Sequence, residues 1–283
     1  AVTSPSPTPP SPPTAPPTAP PIAPPPAGGP AGPGPSGPLP GAALPAPGPV
    51  LVALYRLFLR TTATRGRLLA IGSLTAVSVF SAVVARASGP DDPFDAGASF
   101  VVANLTTLLP VAVLVFGAGA IGDLIDDGSL VYVWLRPIPT RLPVLAAWAA
   151  TVTIVIPLVA VPVLLGTALL EPAPELLGAT ALALVVGTLA YAALAVTAGV
   201  RFRRSLPWGL AYILLWEGFV AGAGSTAGRL AVRSYLLSIV AQVADHPIRL
   251  GRYTLASGII VPLVVGTLAL AYGARRLART DVA

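Results

Sequence analysis

An all-α protein built from several membrane-spanning helices is the fold class this sequence predicts, and three observations predict it. The 283 residues have a mean hydropathy of +0.80 and are 54% hydrophobic but only 10% charged, a balance unsuited to a water-facing surface. Several uncharged apolar runs reach ~18 residues or more, a length that a bilayer accommodates and a soluble core does not. The arginines gather beside those runs rather than inside them, as topology signals do. A β-barrel would instead show short segments of alternating character.

The first element, residues 1–50, holds 21 of the 34 prolines and no charge. Repeats such as SPPTAPPTAPP cannot bury a core, so this stretch is expected to be an extended, disordered tail, set apart from a transmembrane domain over residues 51–283. Within it, no basic residue precedes an apolar run, so neither part of a secretory signal is found there. A solvated linker and a ligand for proline-binding modules are both open readings of it. Next, LVALYRLFLRTTATRGR (Leu51 to Arg67) interleaves bulky apolar residues with Arg56, Arg60, Arg65 and Arg67. That pattern predicts an elbow helix lying in the headgroup layer, because arginines at the depth of a span would each cost ~2.5–3.5 kcal/mol.

Six runs follow, at residues 68–86, 99–120, 144–170, 176–200, 206–224 and 254–274, each near the ~20 residues that cross the hydrocarbon as a helix. The first intervening loop carries Asp91, Asp92 and Asp95, and the third carries Glu171 and Glu175; neither contains arginine, which marks both as external. Arg201, Arg203 and Arg204 with Arg275, Arg276 and Arg279 mark the opposite side. Both termini are therefore expected in the cytoplasm; abundant Arg, Ala, Pro and Gly with no Lys suggest a GC-rich bacterial genome, and so a bacterial cytoplasmic membrane. Residues 225–253 break the rule, since they carry four arginines on the external side. Apolar residues at helical spacing in RLAVRSYLLSIVAQVADH predict an amphipathic or re-entrant helix there. A short seventh span is the alternative, and it would strand the C-terminal arginines outside.

Composition excludes several chemistries. All 17 basic residues are arginine, so a phosphate-binding G-x-x-x-x-G-K-[ST] loop is impossible and the chain hydrolyses no nucleotide by that route. One histidine, His246, and no cysteine leave no zinc or thiol site, and no metal or cofactor is expected. The net charge of +6 serves topology rather than nucleic acid, which is not an expected partner.

One segment stands out: IGDLIDDGSLVYVWLRPIPTR, from Ile121 to Arg141. It falls on the cytoplasmic side, with Ile121, Leu124, Ile125 and Tyr132 on one helical stripe and Asp123, Asp126 and Asp127 on another. Pro137 and Pro139 end any helix, and Val131 to Leu135 would be exposed unless covered by the membrane surface or by another protein. A docking element for a cytoplasmic partner fits this mixture better than a solvated loop.

Here the residues carry a resemblance. GDLIDDGSLVYVWLRPIPTRLPVLAAWAA resembles the connector between the second and third spans of the type-2 ABC transporter permeases, with its acidic stretch, Gly-Ser, apolar run and proline turn. LYRLFLRTTATRGRLL is similar to that family's elbow helix, and AYILLWEGFVAGAGSTAGRLAVRSYLL to its fifth span; with the six-span layout the likeness covers most of residues 51–283. The resemblance implies the permease subunit of an ATP-driven exporter, forming a homodimer or pairing with a sister permease. It also implies that ATP binds a separate ABC ATPase subunit, gripped by the elbow and the connector. By position, that contact would use Asp123, Asp126, Asp127, Gly128, Arg136, Pro137 and Pro139. The family commonly has a glutamate at the start of the connector, where this chain has aspartates.

Glu217 is the one carboxylate inside a predicted span, and an intramembrane ionisable group is a candidate for the substrate path or its gate. Pairing with Arg229 or Arg233 is its structural alternative. Two other functions compete with the exporter: a secondary transporter using Glu217, and a non-transporting scaffold that displays the proline-rich tail. The transported substrate is not legible in the sequence.

Overall fold

The computed structural model describes residues 47–127, 139–202, 205–211, 213, 231–248 and 252–279. Among these there is no strand, and five helices are long and apolar enough to cross a bilayer. The helices are α1 (Pro47–Thr62), α2 (Arg65–Ala87), α3 (Pro93–Asp126), α4 (Arg141–Leu170), α5 (Pro174–Arg201), α6 (Ser205–Ala211), α7 (Val232–Val243) and α8 (Leu255–Ala278). The five long ones are α2, α3, α4, α5 and α8.

The bundle is layered around α3 and α5. Of their most apolar stretches, 78% and 72% of residues are buried, against 17% for each of α2 and α8, which therefore form the outside. Phe80, Val83, Leu268 and Tyr272 on those outer helices are exposed, apolar surface of the kind that meets lipid.

Directions follow from close approaches. Gly97 and Gly117 of α3 face Leu176 and Ala195 of α5, and Gly199 meets the Ala118 backbone, so α3 and α5 run parallel. Gly266 and Gly273 of α8 face Ala190 and Thr197, so α8 runs parallel to both. α2 is antiparallel to α3, since Arg67 near its start meets Asp123 near the end of α3. The bundle thus has an Asp123 end and an Asp95 end. Both arginine-free acidic loops lie at the latter, where Gly97 packs against Glu171. Asp92 caps α3 there, accepting from the Phe94 and Asp95 amides, with Pro93 in the first turn.

Among the described long helices, two carry π turns. In α3 the turn covers Asn104–Leu108, just before Pro110, and in α4 it covers Ile156–Ala160, around Pro157. A proline lacks an N–H and crowds the carbonyl four residues back, and widening the turn accommodates it. The wide turn of α3 is clamped: buried Asn104 donates to the Phe100 carbonyl and accepts from the Ser78 hydroxyl of α2 at 2.6 Å.

Two expectations need correcting. The elbow stretch is not one helix, because α1 begins at Pro47, inside the proline-rich tail, and ends at Thr62, after which Thr64 caps α2. Arg65 and Arg67 therefore belong to the first long helix. The inward stripe of α1, including Leu54 and Phe58, packs on α4, and the Tyr55 hydroxyl reaches Thr153 at 3.2 Å. Thr153 lies about 18 Å along α4 from Arg141 at ~1.5 Å per residue. α1 thus leans along the bundle, where a headgroup-layer helix was expected, because its apolar stripe finds protein to cover it. Its Arg56 and Arg60 face outward.

α7 is the helix expected within residues 225–253. Twelve residues span about 18 Å, short of the ~30 Å hydrocarbon, so it is not a seventh crossing. It does not float on a surface either: Leu236, Leu237, Ile239 and Val240 are buried. Leu236 meets Gly187, and Tyr235 and Ile239 meet Gly258. α7 rises to the Asp95 end, where His246 lies 3.4 Å from Asp95 and beside Phe94. Since α5 ends at the Asp123 end, the chain has reached the opposite end by His246.

Candidate functional site

The acidic end of α3 is the part of the predicted coupling element that the structure describes. α3 carries its apolar side inward to its last turn: Ile121 is buried, while Leu124 and Ile125 pack on the small core formed by α1, α4 and the ends of α5 and α8. Asp126 and Asp127 are exposed beyond it, with the Asp127 amide closing the helix on the Asp123 carbonyl. The amphipathic stripe read in the sequence is therefore present as far as Asp127. Pro139 accepts at its carbonyl from the Leu142 amide and so opens α4. Gly128, Arg136 and Pro137 lie outside the described residues, as do the apolar run Val131 to Leu135 and Glu217.

Asp123 differs from its two neighbours. Its carboxylate accepts from Arg67 Nη2 at 2.7 Å, joining the start of α2 to the end of α3, with side chains 19% (Arg67) and 45% (Asp123) exposed. Half exposed, the pair contributes about 0.5–1 kcal/mol. Its geometry depends on Gly119: a Cβ there would lie 2.6 Å from Arg67 Nη2, so the guanidinium occupies the room that the missing side chain leaves. Arg67 Nη1 is buried and makes no hydrogen bond. Of the four arginines assigned to the elbow, Arg56, Arg60 and Arg65 are exposed, and only Arg67 turns inward.

The sequence held Arg67 and Asp123 in separate roles; Gly119, four residues before the acid, was the available sign that they meet. It also missed a cavity of about 360 Å³ between α3, α5 and α6. Its wall on α5 is the stripe Tyr191, Leu194, Ala195, Ala198 and Phe202, and α6 contributes Trp208 and Gly209. Arg233, offered as a partner for Glu217, has a buried Nε with no hydrogen bond. Among the described residues, no group of three or more acidic or histidine side chains could hold a metal ion.

Compared with known proteins, the chain matches no family model and no curated protein sequence.

Proposed function

We propose that this chain is the permease subunit of an ATP-driven exporter of the type-2 ABC kind, lying in a bacterial cytoplasmic membrane with both termini in the cytoplasm. The observation that carries the reading is the Asp123 end of the bundle. There an exposed acidic helix tip (Asp126, Asp127) stands next to α1 and is tied through Asp123 and Arg67 to the first long helix. A partner that pushes on this tip acts directly on α2 and α3, as coupling to a separate ATPase requires. The parallel run of α3, α5 and α8 adds support, since it demands an odd number of crossings between each successive pair. With one crossing between α5 and α8, the chain crosses six times, and α1 takes the elbow's place in the chain while packing along α4.

In this reading Asp126, Asp127 and Gly128 begin the docking surface, and Arg136, Pro137 and Pro139 complete it. Two copies, or one with a sister permease, enclose the substrate path, with Glu217 at its gate. The test is reversal of the acidic tip. Asp126→Arg, and separately Pro139→Gly, is expected to leave the permease in the membrane while reducing co-purification of the ATPase subunit and ATP-driven transport at least about tenfold, the loss of one well-placed charged contact. Normal values for both variants would reject the coupling role.

A further inference from the structure

The cavity between α3, α5 and α6 has a lining that selects its occupant. Pro110, Leu114, Leu194, Ala195 and Ile213 contribute almost wholly apolar surface. Such a space rejects glycans, nucleotides and ions, whose polar groups would lose water without finding partners. Along α5 the lining runs from Tyr191 to Phe202, about 16 Å at ~1.5 Å per residue. That is one leaflet's depth of a ~30 Å hydrocarbon. The cavity's lower rim carries the features of a headgroup layer. Phe202 and Trp208 stack with ring centroids 6.4 Å apart, and both are exposed; the Arg201 guanidinium lies 5.2 Å from the centre of the Phe202 ring. Aromatic side chains at the end of a membrane helix mark the interface, and arginine beside them attracts anionic headgroups.

We infer that this cavity is a lipid site, holding one acyl chain of an anionic membrane glycerophospholipid from the leaflet at the Asp123 end, with its phosphate at Arg201. The chain length matches the lining, and the charge sits where the headgroup emerges. The site lies within one copy of the chain, and it needs only that the chain spans a bilayer. Its failure would therefore leave the exporter reading untouched.

Trp208 supplies the readout. The full chain is reconstituted into phosphatidylcholine vesicles containing increasing fractions of chain-brominated phosphatidylglycerol or chain-brominated phosphatidylcholine. Quenching of Trp208 is taken as the difference between the parent and Trp208→Phe. The parent is expected to reach half-quenching at about fivefold less phosphatidylglycerol than phosphatidylcholine, the preference one interfacial arginine provides. Arg201→Gln, a change at an exposed side chain outside the cavity's apolar lining, is expected to equalise the two lipids. Ala198→Leu, which fills the cavity, is expected to leave only the weak, headgroup-independent quenching of surrounding lipid. Equal quenching by the two lipids in the parent, or an undiminished preference in Arg201→Gln, overturns the site. An unchanged curve for Ala198→Leu overturns the cavity as its location.

Discussion

Arg67 and Asn104 show how single polar groups organise an apolar bundle. Arg67 bridges to Asp123 only because residue 119 has no side chain. Gly119→Ala is therefore expected to lower the melting temperature in the parent background but to be nearly neutral when Arg67 is already alanine. Thermal unfolding of the four proteins in detergent forms the double-mutant cycle, and a coupling of about 0.5–1 kcal/mol is expected. Asn104 binds the wide turn of α3 to Ser78 of α2. Asn104→Ala should cost about 1 kcal/mol, the upper part of the range for hydrogen bonds between membrane helices, and Ser78→Ala somewhat less. Neither pairing was legible beforehand, because hydrophobic patterning reports which side of a helix turns inward and not which residue it meets. Asn104 was at least conspicuous as an amide within an apolar run, six residues before a proline. Glu217 was conspicuous for the same reason; Glu217→Gln is expected to keep the fold and lower transport, measured as substrate flux over a range of pH. Loss of thermal stability, partly recovered on neutralising Arg233, would instead assign it to a structural pair.

At the level of elements, the long helices were the most readable feature. The runs at 68–86, 144–170 and 176–200 became α2, α4 and α5 with ends moved by a few residues. Composition alone decides this, since any stretch that apolar and that long must be helical to satisfy its backbone. α1 was readable as a helix and misread in its use. Amphipathicity states that one face is covered, and it cannot distinguish lipid from α4 as the cover. The start at Pro47 was missed because proline was counted as a mark of disorder, although in a first turn it has no N–H to lose. Phe58 is only 1% exposed in the small core under α1. Phe58→Ala is expected to destabilise the protein by about 3 kcal/mol and to free α1 from α4, which increased proteolysis around Thr62 to Thr64 would reveal. Unaltered cleavage and stability would mean that α1 is held elsewhere.

For the molecule as a whole, the segregation of acidic loops from arginines anticipated two ends, and the packing of Gly97 against Glu171 brings both acidic loops to one of them. Which end faces the cytoplasm is a matter for labelling. In this cysteine-free chain, single cysteines at Asp91 or Gly89 are expected to react with an impermeant reagent from outside the cell. Cysteines at Asp127 or Arg279 are expected to react only after permeabilisation, and external labelling of either would invert the topology. The Arg67–Gly119 contact also limits how such a bundle can move. With a guanidinium seated in the gap at Gly119, α2 cannot slide along α3 like a piston. A displacement of one helical turn, ~5.4 Å, would drive that group into the side chain of Val115 or Asp123. With Ser78 also hydrogen-bonded to Asn104 farther along the pair, α2 and α3 are tied at two heights, so a push at the Asp123 end would carry the first hairpin as one body.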